Sequence, residues 1–382
     1  ELVDLDTLGG RNSMALGIND RGNIIVGWSE VAGRPRRTHA VLWTQREVVD
    51  LETLGGRNSE ARDVNGLGQV VGVSDTARGR QHAFYAFGGV LVDLNNALVH
   101  PLSTQYVDRP VLFEANAINN DGWVVASGTV GDVTHGYVLV PVSPFDLYAP
   151  RYSYLDVGFV SGTYQQPPLD DVVGSDDDAT EEAATELLLL LAGTGEPETA
   201  SSAAGRHSLA LGINERNQVV GASSRQAFIW DDSSVSRLDD LSYESQANAI
   251  SLFGLIVGST AGPDGLPTAA MWSLSMADHR WDLYPRTGWI SAANDVYGMD
   301  VVGWAADNPE GNGASAMLFN SGNAFNLNDH TDIPLLPSFA PSLRLEEATA
   351  IDANGRIVGY ARLTDGTTRA FLLNPTEDTT SD

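Results

Sequence analysis

The chain reads as an all-β protein. The expectation is a single β-propeller of about seven four-stranded blades, closed by its N-terminal strand and carrying one insertion with a short helix. Three observations predict this. One motif returns seven times, its clearest copies recur at 45 or 46 residues, and the two chain ends hold complementary parts of one unit. A repeat of that period is the length of a four-stranded blade, and an array overrides the multi-domain prior that 382 residues would otherwise set.

The repeat is clearest at the start. Leu2-Val-Asp-Leu-Asp-Thr-Leu-Gly-Gly-Arg-Asn-Ser13 returns as Val48-Val-Asp-Leu-Glu-Thr-Leu-Gly-Gly-Arg-Asn-Ser59. Each copy continues through Ala, two residues, Ile or Val, a polar turn and a Val-rich strand ending in Gly, as in Ala15 to Gly27 and Ala61 to Gly72. A His-Ala-aromatic strand follows at His39 and His82. Weaker copies hold Ala115 and His135, Ala210 and Gln226, Ala247 and Ala270, Ala293 and Ala316, and Ala348 and Ala370. Asn19-Asp-Arg-Gly22, Asn119-Asn-Asp-Gly122 and Asp352-Ala-Asn-Gly355 read as hairpin turns. The Asn or Asp side chain starts the turn and Gly supplies positive φ at its end. The Gly of Val-Val-Gly permits close backbone approach between strands, and the Gly-Gly after the Asp-Leu strand reads as the turn into the next unit.

The last unit stops at Asn374 with no Asp-Leu strand after it, whereas the first begins with a spare one, Leu2-Val-Asp-Leu5. Pairing the two gives every blade four strands and leaves no open edge. The boundaries expected are residues 1–143 for the first three units, 144–205 for the insertion, 206–375 for the last four units and 376–382 for a polar tail. The insertion combines scattered tyrosines, the acidic run Ser175 to Glu182 and five leucines, Leu187 to Leu191. A helix is expected from about Ala179 to Ala192, with carboxylates in its first turn and Gly193 after its end. It is too short to cross a bilayer. Leucines on every face require burial, against the ring or against a partner, so Leu187, Leu188, Leu190 and Leu191 are the candidate partner-binding residues.

Composition narrows the partners. Asp and Glu number 50 against 22 basic residues, all Arg, for a formal charge of −28. Such a surface repels nucleic acid and anionic membrane. Salt adaptation or genome composition explains the same bias. With no Cys, disulfides, thiolate metal sites and Cys nucleophiles are excluded. The strand-like start Glu1-Leu-Val-Asp reads as a mature product after removal of a signal peptide.

The string Asp-Leu-x-Thr-Leu-Gly-Gly, Ser-x-Ala, Ile-Asn, Val-Val-Gly and His-Ala-Phe resembles the HAF family of extracellular repeat proteins, named for its His-Ala-Phe signature. The likeness is strong over residues 2–87, degenerate afterwards, and skips 144–205. It implies a bacterial, exported or cell-surface repeat protein and brings no catalytic residues with it.

Chemistry is otherwise sparse. His39, His82 and His135 are equivalent, but Gln226 and Arg369 replace them in later units, so a strand-end residue bonding to backbone is expected rather than a metal ring. Asp176, Asp177 and Asp178 are candidate Ca²⁺ ligands with Glu181 or Glu182, but the run lacks the spaced Asp-x-Asp-x-Asp-Gly pattern and a solvated acidic loop is the plainer account. Trp28, Trp304 and Tyr360 follow the Val-Gly strand and are candidates for stacking on a ligand at a loop mouth, with packing as the plainer account. No nucleophile elbow, zinc-protease helix or phosphate loop is present. The expected function is therefore a secreted or cell-surface, non-enzymatic interaction or structural assembly protein, docking or self-associating through 144–205. A carbohydrate-binding propeller is the alternative, and a polysaccharide-cleaving enzyme with paired channel carboxylates is the second.

Overall fold

A computed structural model describes residues 1–33, 36–45, 47–99, 109–143, 146–157, 207–231, 234–238, 244–262, 264–274, 280–284, 286–330 and 343–375. Its strands form seven separate four-stranded antiparallel sheets. Blade 2 shows how the motif maps onto a blade. Gly55–Val64 carries the Ser-x-Ala segment and lies innermost, and Val70–Thr76 carries Val-Val-Gly. Gln81–Phe87 carries His-Ala-Phe, and Val90–Asp93 is the outer strand. The Gly-Gly pair is the start of the innermost strand rather than a free turn.

Closure occurs in the seventh sheet. Leu2–Asp4 pairs antiparallel with Thr368–Leu373, in the register Leu2 to Leu373 and Asp4 to Phe371. The main chain extends the seam at both ends, from Leu5 N–H to Ala370 O at 3.1 Å and from Asn374 N–H to Glu1 O at 2.8 Å. Arg369 adds an ion pair to Asp4 at 2.7 Å.

The core lies between blades, because each sheet has two faces to cover and a neighbour on either side. The repeat alanines Ala15, Ala61, Ala115, Ala210, Ala247, Ala293 and Ala348 are all fully buried. At the joint of blades 2 and 3, Val71 and Tyr85 pack with Leu112, Ala126 and Tyr137. The Gly of Val-Val-Gly has no room for a side chain. A Cβ on Gly72 or Gly258 would sit 2.0 Å from the carbonyl oxygen of Glu60 or Gln246 on the innermost strand. The repeat serine is a clasp between blades. Ser13, Ser59, Ser208, Ser245 and Ser291 each accept the N–H of Ala370, Ala40, Gly136, Ala227 and Ala269, respectively, on the third strand of the preceding blade. This register makes Ala269, not Ala270, the equivalent of Ala40.

Two features differ from the expectation. Tyr152–Asp156, placed in the insertion by sequence, is the outer strand of blade 3 and pairs with Val133–Pro141. Its Tyr154-Leu155-Asp156 takes the place of Val48-Val49-Asp50 in blade 1, so the blade runs past residue 143. Short helices, Leu94–Ala97 and Leu327–His330, follow the outer strands of blades 2 and 6. The expected helix at 179–192 lies outside the described residues, as do Leu187, Leu188, Leu190 and Leu191. No helix among the described residues is long and apolar enough to cross a membrane.

Candidate functional site

The innermost strands meet around the ring and leave a central channel. Each is a sheet edge, so alternate backbone N–H and C=O groups face that channel unpaired. Every one of these strands also shifts register by one residue directly after the repeat alanine. The extra residue is Leu16, Arg62, Asn116, Leu211, Asn248, Asn294 or Thr349. A bulge of this kind re-aims a side chain and bends the strand. Where the extra residue is polar, it satisfies the next blade's edge. Asn116, Asn248 and Asn294 donate to the carbonyls of Ala210, Ala293 and Ala348, and Thr349 donates to Ala15 O at 2.9 Å. Arg62 instead donates to Asn116 Oδ1 at 2.7 Å and meets Glu114 at 3.1 Å.

The next position explains two residues that the sequence reading passed over. Five blades place Gly or Ala there, but blades 2 and 6 place Asp63 and Asp295. Each carboxylate accepts two backbone N–H groups. Asp63 takes Val64 in its own blade and Ile118 in the next, both at 2.8 Å. Asp295 takes Val296 at 2.8 Å and Ile351 of the next blade at 2.9 Å. Burial pushes the Asp63 carboxyl up to about 6 despite these bonds, with the charges of Asp295 and Asp20 adding to the effect. Burial also raises Asp295, and again Asp20 contributes. Aligning the seven copies by structure exposes the signal, an acid at a position otherwise reserved for the smallest residues.

Above these acids the channel opens through the Asn-x-x-Gly hairpins. The turn asparagine locks its own hairpin and then ties the ring. Asn214 Oδ1 accepts from Arg216 and Gln218 N–H, while its Nδ2 donates to Ser251 O at 3.0 Å in blade 5. Asn65 and Asn119 make the equivalent inter-blade bonds to Asn119 O and Asn214 O. The series breaks where blades 5 and 6 replace Asn with Ser251 and Tyr297. At the mouth all seven blades line one cavity of about 280 Å³. Its wall is a collar of β-branched residues, one per blade: Ile18, Val64, Ile118, Ile213, Ile250, Val296 and Ile351. Asp20, Asp63, Glu215 and Asp295 supply charge, and Leu252, Phe253 and Tyr297 form an apolar arc. Burial raises Asp20, helped by the charge of Asp352. It also raises Glu215, against the lowering effect of the Asn120 N–H and with Asp20 and Asp121 adding to the rise.

The residues singled out by sequence fall elsewhere. Trp28, Trp304 and Tyr360 sit mid-strand and half-buried rather than at a loop mouth, and none lines the cavity. Tyr360 donates to Glu347 at 2.9 Å. The histidines do not bond to backbone as expected. His39, His82 and His135 lie 2.9, 2.7 and 2.6 Å from Asp50, Asp93 and Asp156 on the outer strand of the same blade. The Arg369–Asp4 pair replaces this in blade 7, so the signature histidine staples the outer strand. Ser29 and Ser74 stand opposite His39 and His82, but neither serine is a triad nucleophile. Both are buried, and their hydroxyls donate to the carbonyls of Glu30 and Asp75. Asp176, Asp177 and Asp178 lie outside the described residues. Among the described residues no group of three or more His, Asp or Glu is arranged to hold a metal ion.

No protein-family model and no curated protein matches the chain. Solved structures do. The fold is similar to a puromycin-hydrolyzing peptidase of Mycobacterium tuberculosis, with a TM-score of 0.53 and 10% identity over 97% of this chain and 52% of that one. This chain thus spans about half of that peptidase's length. It is also similar to the β-propeller domain of the Trilobed protease from Pyrococcus furiosus, with a TM-score of 0.40 and 12% identity over 84% and 99% of the two chains. TolB from Acinetobacter baumannii gives a TM-score of 0.40 and 11% identity over 94% and 81%. At these identities the likeness is one of fold, a seven-bladed propeller. The expectation of a non-enzymatic interaction or structural ring is corrected by the likeness to the puromycin-hydrolyzing peptidase. Its two carbohydrate alternatives fall with it. Trp28, Trp304 and Tyr360 do not line the cavity, and each oxygen of Asp63 and of Asp295 accepts a backbone N–H that ties two blades or closes the bulge.

Proposed function

We propose that this chain is a peptidase-type propeller, a ring that takes part in peptide hydrolysis by admitting and holding peptide at its channel. The observation that carries the reading is the cavity at the channel mouth. It is built by all seven blades and combines a β-branched wall, four carboxylates and an apolar arc. Concave sites with an apolar lining and a few placed polar groups are where ligands bind. The fold likeness to the puromycin-hydrolyzing peptidase, of which this chain spans about half, supports assigning that ligand to peptide chemistry. Ser29 and Ser74 are buried with their hydroxyls on backbone carbonyls, so neither serves as a nucleophile, and the part this reading gives the ring is to select and position peptide. The HAF-type repeat supports a site of action outside the cell.

The test is fluorescence anisotropy with short peptides of mixed sequence labelled at the C-terminus. Saturable binding that unlabelled peptide competes away is the expected result. No saturable binding to any peptide at millimolar concentration would overturn the reading.

A further inference from the structure

Of the ten large hydrophobic side chains exposed among the described residues, five gather in one kind of turn. Leu67, Leu252, Phe253, Tyr297 and Met299 all belong to, or border, hairpins joining the first and second strands. These hairpins share the face of the ring on which the channel mouth opens. Phe253 is 74% exposed and Met299 58%, unusual for residues with no apolar cover. Phe253 and Tyr297 stand where blades 5 and 6 have lost the turn asparagine, so the polar ring is replaced there by an apolar lip. The acids Asp20 and Glu215 enter the same cavity from blades 1 and 4. The mouth therefore has an apolar arc and a negatively charged arc around one depression.

From this complementarity we infer that the channel mouth captures the free ammonium end of a peptide whose first side chain is apolar. The inference rests on the peptidase-type reading and names the substrate group. An ammonium answers the carboxylates, and a neutral or blocked terminus does not. An apolar side chain beside it covers Phe253 and Tyr297. The cavity, at about 280 Å³, lies just under the usual range for small-molecule pockets, about 300–1,000 Å³. It thus suits one or two residues rather than a folded segment. The collar of Ile and Val beneath sets the depth. Asp63 and Asp295 are committed to the inter-blade N–H groups, and both oxygens of Glu215 accept from Asn120 of blade 3. These three contribute field, and Asp20 is the acid placed to contact the ammonium.

Titration calorimetry at low salt separates the possibilities, using the full chain, Phe-Ala-amide, its N-acetylated form and phenethylamine. Phe-Ala-amide should bind, acetylation should weaken it by about tenfold or more, and Asp20→Asn with Glu215→Gln should bring the two forms together. Phe253→Ala should weaken Phe-Ala-amide while sparing Gly-Ala-amide, and circular dichroism establishes that each variant is folded. Equal binding of free and acetylated peptide overturns the ammonium inference and leaves the peptide reading standing. Phenethylamine binding as tightly as the peptide keeps the ammonium site and overturns the peptide reading. Absence of binding by all three overturns both.

Discussion

Asp63 shows how one carboxylate holds two blades together at a cost. Its oxygens satisfy one N–H on each side of the joint, yet the packed surroundings disfavour its charge and push the carboxyl up to about 6. In the unfolded chain an aspartate titrates near 3.9. The folded state therefore binds the proton more tightly, so the stability this group contributes is complete below pH ~4 and is lost as pH rises through 6. Part of the side chain still faces the channel, where water screens it, so the span is about 1–2 kcal/mol rather than the full value of the shift. The stability difference between wild type and Asp63→Asn, measured by urea unfolding, should move against wild type between pH 4 and pH 7. A difference that stays constant over that window refutes the raised carboxyl. Asp295, with the same geometry at the joint of blades 6 and 7, should show the same sign.

At the level of the blade, the first and second strands approach too closely for any side chain at the Val-Val-Gly glycine. Gly258→Ala would put a Cβ 2.0 Å from Gln246 O, a backbone atom that can move only by breaking the strand pair. A loss above about 2 kcal/mol is expected, against about 1 kcal/mol for Gly122→Ala, where the burden is only a positive φ. Thermal unfolding of the two variants ranks them, and equal losses would mean that the close approach is not the constraint. Blade 3 carries Ala126 at this position, so the rule belongs to local strand spacing and not to the propeller as such. Strands and turns of this kind were legible in the sequence because each copy repeats the same steric demand. The channel was not. Its extra residues, Leu16, Arg62, Asn116, Leu211, Asn248, Asn294 and Thr349, share a place in the register and no side-chain chemistry. Their common role follows only from the strand bulge. Tyr152–Asp156 was missed for a related reason, since an outer strand needs the alternation of its neighbours but not their exact residues.

Across the whole molecule, the candidate site exists only because the ring is closed. Its lining residues run from Ile18 to Ile351, and no single blade supplies more than a fraction of them. Closure rests on the three residues Leu2–Asp4, with Leu2 fully buried among residues of blades 6 and 7 and Asp4 held by Arg369. Without this strand the third strand of blade 7, Thr368–Leu373, becomes a sheet edge with an unpaired row of N–H and C=O groups. Blade 1 also loses a neighbour at that seam, where Leu5 packs with Ala15, Val41 and Trp43. Removing residues 1–5 should therefore do more than fray one end. The seam between blades 7 and 1 should exchange amide hydrogens fastest, the cooperative unfolding transition should broaden, and the exposed edge should drive association. Peptide binding at the channel mouth should fall in parallel, because Asp20 and Ile351 lie on the two sides of that seam. The contrasting substitution is Arg369→Gln, which removes the ion pair and keeps the strand, and should cost no more than about 1 kcal/mol with binding retained. If the truncated chain keeps both the sharp transition and its affinity for peptide, the terminal strand is an ornament, and the ring holds its channel through the serine and asparagine joints between blades.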